Sequence, residues 1–166
     1  NGTRREGSEI GGRYQIQRLL GEGGFASVYL AVHKVTGMRL ALKVLHPNIS
    51  QVEGGRERFI RETQIVSQLQ HPNIVRIFDA DMIEEDGTAY AAMEYLDGES
   101  LEERLERTGP LPATEAAPII GDVLRALSAA HKREVVHRDI KPENIFVTRD
   151  HDGRELAKVL DFGIAH

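Results

Sequence analysis

The chain has 166 residues, 40% hydrophobic and 28% charged, which suffices for an ordinary domain with a real core and excludes a disordered or low-complexity class. A net charge of −5 weighs against nonspecific nucleic-acid binding, and the absence of cysteine excludes a disulfide framework and a thiolate zinc site, which suits a reducing compartment. No apolar run approaches the roughly 20 residues of a membrane span, no signal segment opens the chain, and Asn1 in place of an initiator Met points to a piece of something longer.

Residues 1–12 are polar and glycine-bearing without periodicity, so they read as a leader or linker, with order beginning near Arg13. Tyr14-Gln15-Ile16-Gln17 alternates as a half-buried strand does, and Ser27 to His33 is β-branched and aromatic. The two flank Gly21-Glu22-Gly23-Gly24-Phe25-Ala26, so these glycines turn a hairpin, whereas in a dinucleotide-binding fold they would lead into a helix. Taken alone, such a glycine run is more often just a turn. A third strand, Met38 to Leu45, puts Arg39, Ala41 and Lys43 on one face and Leu40, Leu42 and Val44 on the other.

After Gly54-Gly55, helical spacing over Arg56 to Gln70 gives a stripe of Phe59, Ile65, Val66 and Leu69. Glu62 falls on that stripe, and a carboxylate on a buried face calls for a cation, for which Lys43 is the candidate. Strands over Val75 to Ile83 and Thr88 to Tyr95, joined at Glu84-Glu85-Asp86-Gly87, complete a five-stranded antiparallel sheet. Ser100-Leu101-Glu102-Glu103 is a capping box opening a short helix. Leu111-Pro112 leads into a longer helix through about His131, with an apolar face of Ala116, Ile119, Ile120, Val123, Leu127 and Ala130. Pro118 requires that this helix start after Thr114 or kink. Ile145 to Val147 and Ala157 to Leu160 read as a hairpin whose tip, Asp150 to Glu155, is solvated.

Before that hairpin stands Val135-Val136-His137-Arg138-Asp139-Ile140-Lys141-Pro142-Glu143-Asn144-Ile145, a polar loop between apolar anchors, and after it Asp161-Phe162-Gly163. The spacing H-R-D-x-K-x-x-N followed by D-F-G resembles the catalytic loop and metal loop of bacterial, eukaryotic-like (Hanks-type) serine/threonine protein kinases. The resemblance covers residues 13–166 and implies an α+β kinase-like fold: an N-lobe over 13–96 and part of a mainly helical C-lobe over 97–166, ending just after D-F-G.

By the same resemblance, the chain binds ATP and Mg²⁺ and transfers the γ-phosphoryl group to serine or threonine of a protein substrate. Asp139 accepts or orients the hydroxyl proton and Lys141 steadies the phosphoryl group, while Lys43, held by Glu62, meets the phosphates. Leu20, Gly21, Glu22, Gly23, Gly24, Phe25 and Ala26 would form the phosphate loop, with Ala26 where the family has its third glycine. Val28 and Ala41 would pack on adenine, Met93 would sit behind it, and Glu94 and Leu96 would bond it through the backbone. Asn144 and Asp161 would hold the metal, His137 and Phe162 would pack, and Arg138 would meet a phosphorylated activation loop. The alternatives are a nucleotide-binding pseudokinase, against which intact Lys43, Asp139, Asn144 and Asp161 argue, and a small-molecule phosphotransferase, against which I-K-P-E-N argues. A cytoplasmic kinase domain without nucleic-acid partners is expected, with dimerisation and a downstream membrane anchor of the longer protein left open.

Overall fold

The computed structural model describes residues 6–50 and 54–162. They fall into two compact units, one from the described residues up to Ser67 together with Ile77–Tyr95, the other from Gln68–Arg76 together with the described residues from Leu96 onward.

The first unit is built on an antiparallel sheet of order β1-β2-β3-β4-β6-β5, comprising Glu9–Ile10, Tyr14–Glu22, Ala26–His33, Arg39–Leu45, Ala89–Glu94 and Ile77–Met82 in that order. It has six strands where the sequence suggests five. The addition is β1, in the stretch read as a leader: Ile10 is fully buried, pairs with Tyr14, and is turned back by Gly11 and Gly12, both at positive φ. A two-residue strand is too short to alternate, which is why periodicity misses it. A Cβ on Gly11 would lie 2.5 Å from the Tyr90 hydroxyl, so this turn needs its glycine for space as well as for φ.

The alternation expected of β4 holds, since Leu40, Leu42 and Val44 join Ile10, Tyr14, Ile16, Tyr29, Ala31, Ile83, Tyr90 and Ala92 in one apolar cluster. Arg13 adds a polar tie from the head of β2, with its guanidinium 3.0 Å from Asp79 and 3.2 Å from Asp81 on β5.

Two helices, α1 (Pro47–Ser50) and α2 (Gly55–Ser67), separate β4 from β5. The second buries Phe59, Thr63 and Val66 against β5 and β6. Ile65, expected on the buried stripe, is 46% exposed. Six residues at about 100° each set it roughly a third of a turn from Phe59, while Thr63, about 40° to the other side, is buried in its stead. The helix stops at Ser67, short of Gln70, with the Ser67 hydroxyl donating to the Gln64 carbonyl (2.7 Å) and so competing for the last turn.

The second unit holds a sheet of order β7-β8-β9 (Gly98–Ser100, Ile145–Arg149, Glu155–Val159) and the helices α3 (Leu101–Thr108) and α4 (Ala113–His131). The segment before β5 belongs here. Val75 N–H donates to Val159 O (3.0 Å), Val159 N–H to Asn73 O (2.8 Å) and the Asn73 amide to Ala157 O (2.9 Å), so the strand expected from Val75 starts only at Ile77. Ser100 and Glu103 make the expected capping box reciprocally at 3.1 and 2.7 Å.

α4 starts at Ala113 and runs through Pro118, so the later start is not taken. One hydrogen bond near the amino terminus is what proline removes there. Its buried face is Ile119, Asp122, Val123, Ala126 and Ala130, whereas Ile120, expected inside, is 56% exposed. Asp122 is the unexpected member. Its carboxylate accepts the Ala157 N–H (2.8 Å) and pairs with Arg125, which compensates its burial.

Candidate functional site

In the first unit the expected nucleotide residues lie on one hairpin and one sheet face. Gly21 and Glu22 end β2, Gly23 N–H closes the turn onto Ala26 O (2.9 Å), and Ala26 opens β3, buried. Among the described residues the non-glycines at positive φ are Glu134, Arg138 and Asp161, so Ala26 in the third-glycine position bears no such strain. Leu20, Glu22, Gly24 and Phe25 are exposed along the turn.

Direct cross-strand partners share a face. Val28 opposes Lys43, and Ala41 opposes Met93, which sets these four together on the face away from the apolar cluster. Glu94 ends β6; the first unit closes at Tyr95, and Leu96 opens the second.

Sequence reasoning missed His46, just past β4. Its backbone N–H donates to Phe25 O (2.9 Å), its Nε2 lies 2.9 Å from buried Ser27 Oγ, and Glu22 Oε1 lies 4.0 Å from the same nitrogen. One residue thus grips both the tip and the base of the glycine-rich hairpin. No periodicity marks a single residue after a strand, so the sequence carries no signal for it.

On α2, Glu62 is half-buried, and its Oε2 is buried without a hydrogen bond among the described residues. The expected bond from Lys43 is therefore not made through that oxygen. An orphaned carboxylate oxygen of this kind is costly and fits a site that a cation completes.

In the second unit His137 organises the loop. It is 1% exposed, its Nδ1 accepts the Asp139 N–H (3.2 Å), and its Nε2 donates to Leu160 O (2.6 Å). Its ring packs on buried Phe162 at 4.7 Å. Burial pushes the imidazole below its ordinary pKa, against the opposing pull of the Leu160 carbonyl and of Asp161 and Asp139. This ring does the anchoring expected of Val136, which is 56% exposed. Arg138 follows at φ 66°, a conformation that non-glycine residues hold only when their surroundings impose it.

Asn144 ends a 3₁₀ turn over Pro142–Asn144, and its amide donates to Asp139 O (2.8 Å) and Asp139 Oδ2 (3.1 Å). Lys141 Nζ stands 3.7 Å from Asp139 Oδ2 and 3.7 Å from Glu143 Oε1. Asp139 and Lys141 side chains are 39% and 45% exposed, open enough for a substrate to reach. Leu160 N–H donates to Asn144 O (2.9 Å), which fastens the strand that delivers Asp161, itself at φ 49°. Gly163 of the D-F-G motif lies outside the described residues.

With its nitrogen committed to Asp139, the Asn144 amide presents oxygen as its ligand end. No group of three or more His, Asp or Glu suited to a metal occurs among the described residues. Asn144 and Asp161 could each supply a hard oxygen donor, the kind that suits Mg²⁺, an ion that keeps waters and takes further oxygens from phosphates.

This geometry agrees with the family comparison, in which the protein kinase domain model matches residues 14–166, and the chain belongs to that family. The chain is 46% identical over 158 residues to the serine/threonine-protein kinase PksC of Streptomyces coelicolor, covering 92% of this chain and 28% of that protein. It is 45% identical over 159 residues to the serine/threonine-protein kinase PrkC of Bacillus subtilis, covering 96% of this chain and 24% of that one. The chain thus spans about a quarter of these relatives' length. The crystal structure of the Mycobacterium tuberculosis PknI kinase domain superposes with a TM-score of 0.84 at 34% identity, covering 99% of this chain and 64% of that one.

Proposed function

We propose that the protein transfers the γ-phosphoryl group of ATP to serine or threonine hydroxyls of proteins. The observation that carries this reading is the double hold of Asn144 on Asp139, which aims a half-exposed carboxylate beside the Lys141 ammonium. Asp139 receives or orients the proton of the attacking hydroxyl, and Lys141 balances charge on the group in transit. Lys43 meets the nucleotide phosphates with Glu62 as its counter-ion, and the hairpin from Leu20 to Ala26 lays backbone over them. Val28, Ala41 and Met93 line the adenine, and the backbone of Glu94 and Leu96 reads its edge. Asn144 and Asp161 hold Mg²⁺, which when bound neutralises phosphate charge.

Phosphoryl transfer of this kind is mainly positioning and electrostatics, so residues already oriented by buried neighbours are what the chemistry requires. A cytoplasmic location for this domain is part of the same proposal; no helix among the described residues is long and apolar enough to cross a membrane. Incubating the protein with γ-labelled ATP, Mg²⁺ and a serine peptide tests the reading. Label on serine that disappears with Asp139→Asn is expected. Undiminished label in that variant would overturn the role given to Asp139.

A further inference from the structure

A hollow of about 370 Å³ lies within the second unit, between residues 68–74 and the last turns of α4. Its buried lining is Leu69 and Ile74, 7% and 1% exposed. Arg125, Lys132 and Arg133 line it from α4 and just beyond, and Gln68, Gln70 and His71 from the opposite wall. His71 Nδ1 accepts the Asn73 N–H (3.1 Å), leaving Nε2–H as a donor. No carboxylate lines the hollow, although the whole chain carries a net charge of −5.

Elsewhere in this unit some arginines are spent on acids, as where Arg104 and Arg107 hold Glu99 at 2.9 and 2.5 Å, and Arg149 donates to the Gly153 carbonyl (2.8 Å). Arg125 is tied to Asp122, but Lys132 and Arg133 make no ion pair among the described residues. Cations after a helix also favour its dipole. That accounts for the position of Lys132 and Arg133, but not for the hollow or for the donors on its far wall. The last carbonyls of the helix add little opposing charge, because Ser128 O accepts Lys132 N–H, and Ala130 O accepts Arg133 N–H and Val135 N–H.

We propose that this hollow docks an acidic segment of the protein substrate, carboxylates against Arg125, Lys132 and Arg133 and an apolar residue against Leu69 and Ala129. An apolar lining of this size with a donor-rich cationic border has the anatomy of a small recognition site, and its charge opposes that of the segment it takes. The proposal deepens the transfer reading, since it names a substrate class, and the site uses none of the residues assigned to transfer.

The test has a binding arm and a kinetic arm. Fluorescence anisotropy with a labelled Glu-Glu-Leu-Glu-Glu peptide should show binding that weakens with salt and falls at least about tenfold in Lys132→Glu/Arg133→Glu, as loss of close charge pairs predicts. The Gln-Gln-Leu-Gln-Gln peptide should bind no better than that variant, and Lys132→Gln/Arg133→Gln should fall between. In the kinetic arm, a serine peptide bearing the acidic segment should lose its KM advantage over the bare peptide in the charge-reversed variant, with kcat unchanged. Equal binding of the glutamine peptide, or affinity unchanged by charge reversal, overturns the proposal. So does self-association of the protein that charge reversal abolishes, which would assign the hollow to a second copy. Peptide binding as expected with no transfer to any serine peptide overturns the transfer reading and leaves the acidic-segment site standing.

Discussion

Asn144 holds Asp139 twice, at the main-chain carbonyl (2.8 Å) and at the carboxylate (3.1 Å), so the loop's conformation and the acid's aim are one constraint. Removing the acid's charge should therefore act on rate more than on folding. Asp139→Asn is expected to lower transfer to a serine peptide by about 10²–10⁴-fold, the usual range for a general base, while its urea midpoint stays close to that of the parent. Asn144→Ala should lower the rate too and also cost stability, because it frees the loop. Equal stability of Asn144→Ala and the parent would show that the bonds to Asp139 do not order the loop.

Part of this arrangement can be read directly from the residues. The alternation of β4 and the Ser100–Glu103 box are local patterns with the expected structure, and the order of the polar residues from His137 to Asn144 is legible in the sequence alone. What escapes is set by distant partners. β1 and β7 are two and three residues long, too short for any period, and exist because β2 and β8 offer free edges. Gly98 belongs to that second pairing, where a Cβ would meet Val147 O at 2.1 Å. Asp122 reads as a surface acid until Ala157 and Arg125 are brought to it, and His46 reads as a loop residue until Phe25 and Ser27 fold over it.

Asp122 is accordingly expected to act on stability. Asp122→Ala leaves the buried Ala157 N–H without its acceptor, an effect of about 1–3 kcal/mol. Arg125→Ala should cost less, because that side chain is 62% exposed while the Asp122 side chain is only 10% exposed. Chemical denaturation of both variants checks the order, and a larger loss for Arg125→Ala would show that the ion pair outweighs the bond to Ala157.

His46 should matter to nucleotide affinity. Losing its side-chain contact with Ser27 loosens the hairpin that carries Gly21 and Gly23, at about 1 kcal/mol for a hydrogen bond. His46→Ala and Ser27→Ala are each expected to raise the KM for ATP by about fivefold, and the double variant by little more than either alone. Fully additive effects in that cycle would mean the two residues act separately.

The buried imidazole of His137 gives the loop a pH dependence whose sign follows from its environment. Burial lowers its folded pKa beneath that of the unfolded chain, about 6.5. Below that value the unfolded chain binds the proton more readily than the folded one, so stability falls as pH drops from about 6.5 and levels off once both forms are protonated. Above about 6.5 the residue contributes no slope. Protonation would place a second N–H on the ring at Nδ1, where the Asp139 N–H now donates, and would break that bond. Denaturation midpoints of the parent should therefore decline from neutral pH to about pH 5 more steeply than those of His137→Gln, which has no charge to gain. The substitution also removes the ring that packs on Phe162, so the variant should be less stable at every pH; the informative quantity is the slope. Parallel slopes for the two proteins would show that His137 is not the group titrating in this range.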